Sequence, residues 1–156
     1  MTEGYRRSIE DIEDRTDQIA AAADADLAAR APALADELLA MGEDVLLAWL
    51  AAKGQTPTTA TAEGFRLLAL HRQAARGNPS FNACRETCRE AVWHHNLIRL
   101  DPAGPDTARN IRLGAMVVRH LALFVGGKLE SDGLGEFCCS SRPIRTAEPT
   151  PSTPQA

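Results

Sequence analysis

The chain has 156 residues, a formal net charge of −4 and an aromatic content of only 4%. This length is sufficient for one domain whose core needs no disulfide bonds. Alanine is abundant and nearly all basic residues are arginine, a balance that favours helices packed through small side chains and argues against an all-β fold.

Residues 1–12 are dense in charge and contain no apolar run followed by a small-residue cleavage site, so we expect a cytoplasmic protein. The longest apolar run, 115–125, is too short to span a bilayer and is interrupted by Arg119 and His120, so no membrane partner is expected. Cysteines in a reducing compartment are more often free thiols or metal ligands than disulfides.

Prolines and glycines mark the predicted helix ends. Three prolines follow a residue that can cap a helix, at Thr56-Pro57, Asn78-Pro79 and Gly104-Pro105. Glycines that can end a helix stand at Gly54, Gly77 and Gly126-Gly127. The pattern predicts helices at 4–30, 32–53, 57–76, 79–100 and 105–128. We therefore expect an all-α, up-down bundle of four to five helices in a single domain, 1–130, because short loops make consecutive helices antiparallel neighbours.

The first predicted helix carries a narrow apolar seam. Its members recur at alternating steps of four and three: Tyr5, Ile9, Ile12, Thr16, Ile19 and Ala23. Such a seam is typical of coiled-coil packing on one partner helix. Helix 4–30 is therefore a candidate for a protruding or dimerising arm, in which this acidic helix binds a protein partner or a second copy of the chain.

The apolar surfaces of two later helices are broader. The second helix adds Leu39, Leu46 and Leu50 to a regular apolar stripe, which predicts a core helix. The last helix is apolar nearly all round, as a helix surrounded by neighbours requires, and we expect it at the centre.

Charge is distributed unevenly along the chain. Residues 1–50 are strongly acidic, whereas residues 65–128 are basic, so the two parts are expected to attract each other. A nucleic-acid surface is not favoured, because the arginines alternate with glutamates instead of clustering with exposed aromatic residues.

The most distinctive feature is a stripe of soft donor atoms on the fourth predicted helix. At about 100° per residue, Cys84, Cys88 and His95 share one face with Ala91 and Ile98. The charged side chains of the segment fall on the other side: Arg85, Glu86, Arg89 and Glu90. The thiols and the imidazole are therefore predicted to point inward.

Counting residues from each turn estimates depth in the bundle. The count places six side chains at one level: Met41, His71, Cys84, Cys88, Met116 and His120. His95 belongs to another layer. Cys84 and Cys88 as thiolates, completed by His71 and His120, would suit a transition metal such as zinc, iron or copper. The alternative is that both cysteines simply fill the core.

A redox interpretation uses the same cysteines. Positions i and i+4 of a helix lie about 6 Å apart, which permits only a strained disulfide, and Arg85 and Arg89 could lower a thiol pKa. Cys138-Cys139 would supply a second, mobile pair of donors in the segment 131–156, which we expect to be flexible because it ends in a Pro/Thr/Ser-rich tail.

The other histidines are expected to be structural. His94 points away from the cysteine stripe, which predicts a surface or helix-packing position. His120 lies in a largely apolar helix, where a buried neutral imidazole is the expected state.

No phosphate-binding loop, nucleophile elbow, close zinc knuckle or Glu-x-x-His motif occurs, so an enzyme is not favoured. Two hypotheses remain. The first is a cytosolic thiol/imidazole protein that binds a transition metal or metallocofactor, or senses redox state, as an accessory factor of a larger system. The second is a noncatalytic helical interaction or dimerisation module, in which charged substitutions at Ile9 and Ile12 would destroy partner binding.

Overall fold

The computed structural model describes residues 6–131, without the side chains of residues 80 and 83, and this part of the chain is all-α as the sequence predicts. Its helices are α1 Ile9–Ala21, α2 Asp24–Ala29, α3 Ala31–Ala52, α4 Arg66–Ala75, α5 Arg85–Leu100 and α6 Thr107–Glu130. A 3-10 helix, Pro79–Cys84, leads into α5. The expected flexible segment, apart from residue 131, lies outside the described residues.

Helix α6 is the centre of the bundle, as its apolar surface predicts. It packs against α1, α2, α3 and α5. Gly114 lets two of these helices, α3 and α5, approach α6 closely, since a Cβ at this position would lie 3.2 Å from Leu38 Cδ1 of α3 and 3.4 Å from His94 Cβ of α5. The position of α5, which carries the candidate sites, is therefore determined by close packing on α6.

The first predicted helix, 4–30, is divided into α1 and α2. Ala22 and Ala23 between them are extended, with ψ angles of 155° and 151°. The Arg112 guanidinium of α6 donates to the backbone oxygens of Ala20 and Ala22, at 3.3 and 2.7 Å. An arginine thus satisfies carbonyl groups that the end of a helix leaves unpaired, which explains why α1 stops here.

The predicted seam of the first helix packs within its own chain. Ile12, Thr16 and Ile19 are completely or almost completely buried, and α6 is the main neighbour of α1. Tyr5 lies outside the described residues. The expectation of a protruding arm is therefore wrong, because α6 covers the seam that would have received a partner. Dimerisation of the chain stays a prediction.

The segment predicted as helix 57–76 is helical only in its second part. Gln73 of α4 donates from Nε2 to the Thr56 backbone oxygen and accepts the Thr58 backbone N–H, both at 2.9 Å. Arg66 Nε donates to the Thr58 backbone oxygen at 2.9 Å. Because side chains of α4 satisfy this stretch of backbone, it runs without helix up to α4, and the predicted helix start at Pro57 is wrong.

An aromatic cluster fixes the 3-10 helix in front of α5. The Phe81 ring is completely buried, with its centroid 4.7 Å from that of Trp49 and 5.6 Å from that of Phe124. Lys128 is buried beside the same three rings. The fourth predicted helix therefore begins as a 3-10 turn at Pro79.

Ion pairs join the acidic and basic parts of the chain, as the charge distribution predicts. Arg112 of α6 contacts Asp24 of α2 at 2.6 Å, and Arg99 of α5 contacts Asp36 of α3 at 3.1 Å. Since these side chains are substantially exposed, each pair contributes at most about 1 kcal/mol. None of the helices in the described range is both long and apolar enough to cross a membrane.

Candidate functional site

The cysteine stripe points inward, as predicted. Cys84 closes the 3-10 helix, Cys88 lies in the second turn of α5, and both are completely buried and not joined in a disulfide. His95 lies farther along α5 and contacts Asp36 Oδ1 of α3 through Nε2 at 3.1 Å. It therefore belongs to a different layer, and its ring is committed to a contact between helices.

His71 of α4 is a buried, neutral histidine. Its Nε2 lies 2.7 Å from the Phe81 backbone oxygen, and because a carbonyl only accepts, Nε2 carries the hydrogen. Burial lowers the pKa of His71, the bond to Phe81 opposes this shift, and the nearby Arg85 adds to it. A metal at Nε2 would have to displace the Phe81 contact.

The remaining candidate ligands are not assembled around the cysteines. His120 is exposed on α6, so the expectation that it is buried is wrong: none of the four helices packed on α6 covers this side. Cys138 and Cys139 lie outside the described residues. Within residues 6–131, no three His, Cys, Asp or Glu side chains form a group that could hold a metal ion. The metal and redox interpretations remain predictions.

Two of the four large exposed apolar side chains in the described range mark a different surface, the outer side of α5 and the adjoining side of α6. Trp93 is 61% exposed and Met116 is 60% exposed. Each lines a groove beside α5. The α4–α5 groove, of about 350 Å³, is lined by Glu63, Leu68, Glu86, Arg89, Glu90, Val92, Trp93 and Asn96.

The α5–α6 groove, of about 380 Å³, lies on the other side of α5 and is lined by Thr87, Glu90, His94, Leu113, Met116, Val117 and His120. Glu90 lines both grooves, so they adjoin across α5. His94 packs against α6, as its predicted position requires, and burial lowers its pKa while Glu90 opposes the shift. The uncharged imidazole of His94 therefore forms part of the lining of the groove.

A basic pocket adjoins the α4–α5 groove. This arginine pocket has a volume of about 270 Å³ and is lined by Glu63, Leu68, His71, Arg72, Arg85 and Arg89. Arg89 donates from both terminal nitrogens to the two Glu63 carboxylate oxygens, at 3.0 and 3.1 Å. That bidentate contact is the main cause of a lowered pKa of Glu63, and the positive charges of Arg89, Arg72 and Arg85 lower it further.

Glu63 reaches Arg89 from an unusual backbone conformation. Its φ angle is 55°, that of Gly64 is 88°, and Ala62 and Phe65 exchange backbone hydrogen bonds of 3.0 and 2.9 Å around them. A left-handed conformation costs a residue other than glycine about 1 kcal/mol or more. The tight turn therefore holds the Glu63 carboxylate at the arginine pocket at some cost to the backbone.

Sequence reasoning identified neither the pocket nor the grooves. The pocket joins a turn, α4 and α5, and the turn lies where a helix was predicted. Gly64 was the available signal, because glycine is typical of the second position of tight two-residue turns. Comparisons with protein-family models, with curated proteins and with solved structures give no significant match.

Proposed function

We propose that the protein is a noncatalytic helical interaction module whose protein partner binds the outer surface of α5, across the α4–α5 and α5–α6 grooves. The observation that carries this proposal is the exposure of Trp93 and Met116 on either side of α5. Tryptophan and methionine are enriched at protein interfaces, and tryptophan is prominent among the residues that contribute most to affinity.

The two grooves suit an elongated partner. A helix or extended segment lying along α5 would bury Trp93 on one side and Met116 on the other. The unbranched methionine side chain adapts to partners of different shape. The proposal moves the partner site from the acidic first helix to α5, because the seam of α1 is already buried in the bundle.

The buried polar groups nearby have structural roles. Phe81 holds His71 in one neutral form, and Cys84 and Cys88 lie inside the core. A partner bound at the grooves would touch none of these side chains directly, apart from the wall that His71 contributes to the arginine pocket. Binding, and not chemistry, is the function that this surface supports.

The test begins by identifying the partner through its position on the surface. A photo-crosslinking amino acid replaces Asn96 in the α4–α5 groove, and in a control protein it replaces Ala25, which is exposed on α2. A protein that crosslinks from position 96 and not from position 25 is then purified, and its Kd is measured with unlabelled protein.

The affinity measurement uses a matched pair of variants. Trp93→Ala should weaken binding about 30-fold, the equivalent of about 2 kcal/mol for a central interface residue. Leu100→Ala truncates an apolar residue that is 83% exposed on the same helix and lines neither groove, so it should change Kd less than about twofold. Equal affinities for wild type and Trp93→Ala would refute the proposal.

A further inference from the structure

The arginine pocket specifies the chemistry of the partner, an inference that rests on the proposed function. We propose that the pocket receives a carboxylate from an acidic segment of the partner protein, and that Glu63 occupies the same position in the free protein. The pocket shares Glu63, Leu68 and Arg89 with the α4–α5 groove. A segment in that groove therefore passes the arginines.

The charge of the pocket is not balanced by Glu63 alone. Arg72, Arg85 and Arg89 surround this one carboxylate, and Glu63 forms its bidentate contact only with Arg89. In the described part of the chain, the guanidinium groups of Arg72 and Arg85 form no hydrogen bond or ion pair. Arginine binds carboxylates through a planar pair of donors, so these side chains suit a second acidic group or the replacement of the first.

Glu63 is easily displaced from the pocket. Its side chain is 51% exposed and that of Arg89 is 42% exposed, and ion pairs at such sites contribute little. Glu63 is also held at a φ angle of 55°, which its backbone would leave if the turn relaxed. The Glu63 carboxylate therefore acts as a weak internal competitor for an acidic ligand.

The groove beside the pocket favours an acidic segment over a small anion. Leu68, Val92 and Trp93 provide apolar surface next to Arg89, and the groove also contains Glu86 and Glu90. These two carboxylates leave the arginine pocket as the place for an acidic group of the segment. Inorganic phosphate would use the arginines and leave this surface exposed. A peptide that alternates acidic and apolar residues would use both, and the apolar contact with Trp93 distinguishes the two ligands.

The test measures binding of a fluorescein-labelled peptide of alternating Glu and Leu, with a matched peptide of alternating Gln and Leu, by fluorescence anisotropy at low salt. Wild type should bind the Glu peptide at least about tenfold more tightly than the Gln peptide. Arg89→Gln and Arg85→Gln should each weaken binding of the Glu peptide about tenfold. The control Arg76→Gln removes an exposed arginine outside the pocket and should change Kd less than about twofold.

Removal of the internal competitor gives the most specific result. Glu63→Gln should bind the Glu peptide about fivefold more tightly than wild type. If the peptide displaces the Glu63 carboxylate from Arg89, this gain in affinity should largely disappear in the double variant Glu63→Gln/Arg89→Gln. An equal gain with and without Arg89 would indicate general repulsion and overturn the proposal. Each variant is measured under conditions in which circular dichroism shows it to be fully folded, so a lower stability does not remove it from the comparison.

Other results overturn the inference in recognisable ways. Absence of charge-dependent peptide binding refutes the inference. The proposed function then still stands if Trp93→Ala weakens binding of the partner that was identified by crosslinking. Competition by inorganic phosphate, with no effect of Trp93→Ala on the peptide, would make the pocket a small-anion site. Self-association of wild type that Arg89→Gln abolishes would show that a second copy of the chain is the occupant.

Discussion

Replacement of Ile12 by alanine tests whether the seam of α1 belongs to the bundle or to a partner. Ile12 lies in α1 and is completely buried, and the main neighbour of α1 is α6. The substitution removes three carbon atoms, a loss of about 2.4 kcal/mol at about 0.8 kcal/mol for each. The cavity left between packed helices raises the expected cost to about 3–4 kcal/mol.

The assay is equilibrium unfolding in urea, followed by helical circular dichroism, with Asp14→Ala as the control on the exposed side of α1. Ile12→Ala should lower the free energy of unfolding by the stated amount and the Tm by about 10 °C, whereas Asp14→Ala should stay within about 0.5 kcal/mol of wild type. The reasoning is refuted if Ile12→Ala leaves stability unchanged and instead abolishes self-association.

Two further results concern the buried histidine and thiols. Burial gives His71 a folded-state pKa below its unfolded value of about 6.5, so the unfolded chain takes up the proton first and His71 lowers the stability of the fold as pH falls through that value. In urea titrations between about pH 7 and 5, His71→Gln should therefore reduce the loss of stability at low pH. The control His120→Gln, which alters an exposed imidazole, should not reduce it. Cys84 and Cys88 should react with a thiol reagent only when the protein unfolds. Changing both to alanine should lower the free energy of unfolding by about 1–3 kcal/mol without weakening binding of the partner. Stoichiometric zinc, iron or copper that is present in anaerobically purified protein and lost in this double variant would favour the metal interpretation instead.

Much of the architecture was predictable because it depends on local apolar patterns. The broad apolar surface of the second helix and the nearly uniform one of the last helix predict α3 and α6, including the central place of α6. The inward direction of Cys84 and Cys88 follows from the same periodicity. These features require only that an apolar face be buried, whatever element covers it.

The remaining features depend on which elements meet. Thr56-Pro57 has the pattern of a helix start, but Gln73 and Arg66 hold the following backbone in another conformation. His120 has apolar neighbours in sequence, yet it lies on the side of α6 that no helix covers. The arginine pocket likewise exists only because the turn at Glu63 meets α4 and α5.

The most direct test of the proposed function is an NMR titration of the protein with the purified partner that was identified by crosslinking. The described residues contain two tryptophans and two methionines, one exposed and one buried of each kind: Trp93 and Trp49, Met116 and Met41. The account predicts large shifts of the Trp93 indole N–H and the Met116 methyl group, with little change at Trp49 and Met41. Saturating partner that leaves Trp93 and Met116 unshifted would contradict binding at α5.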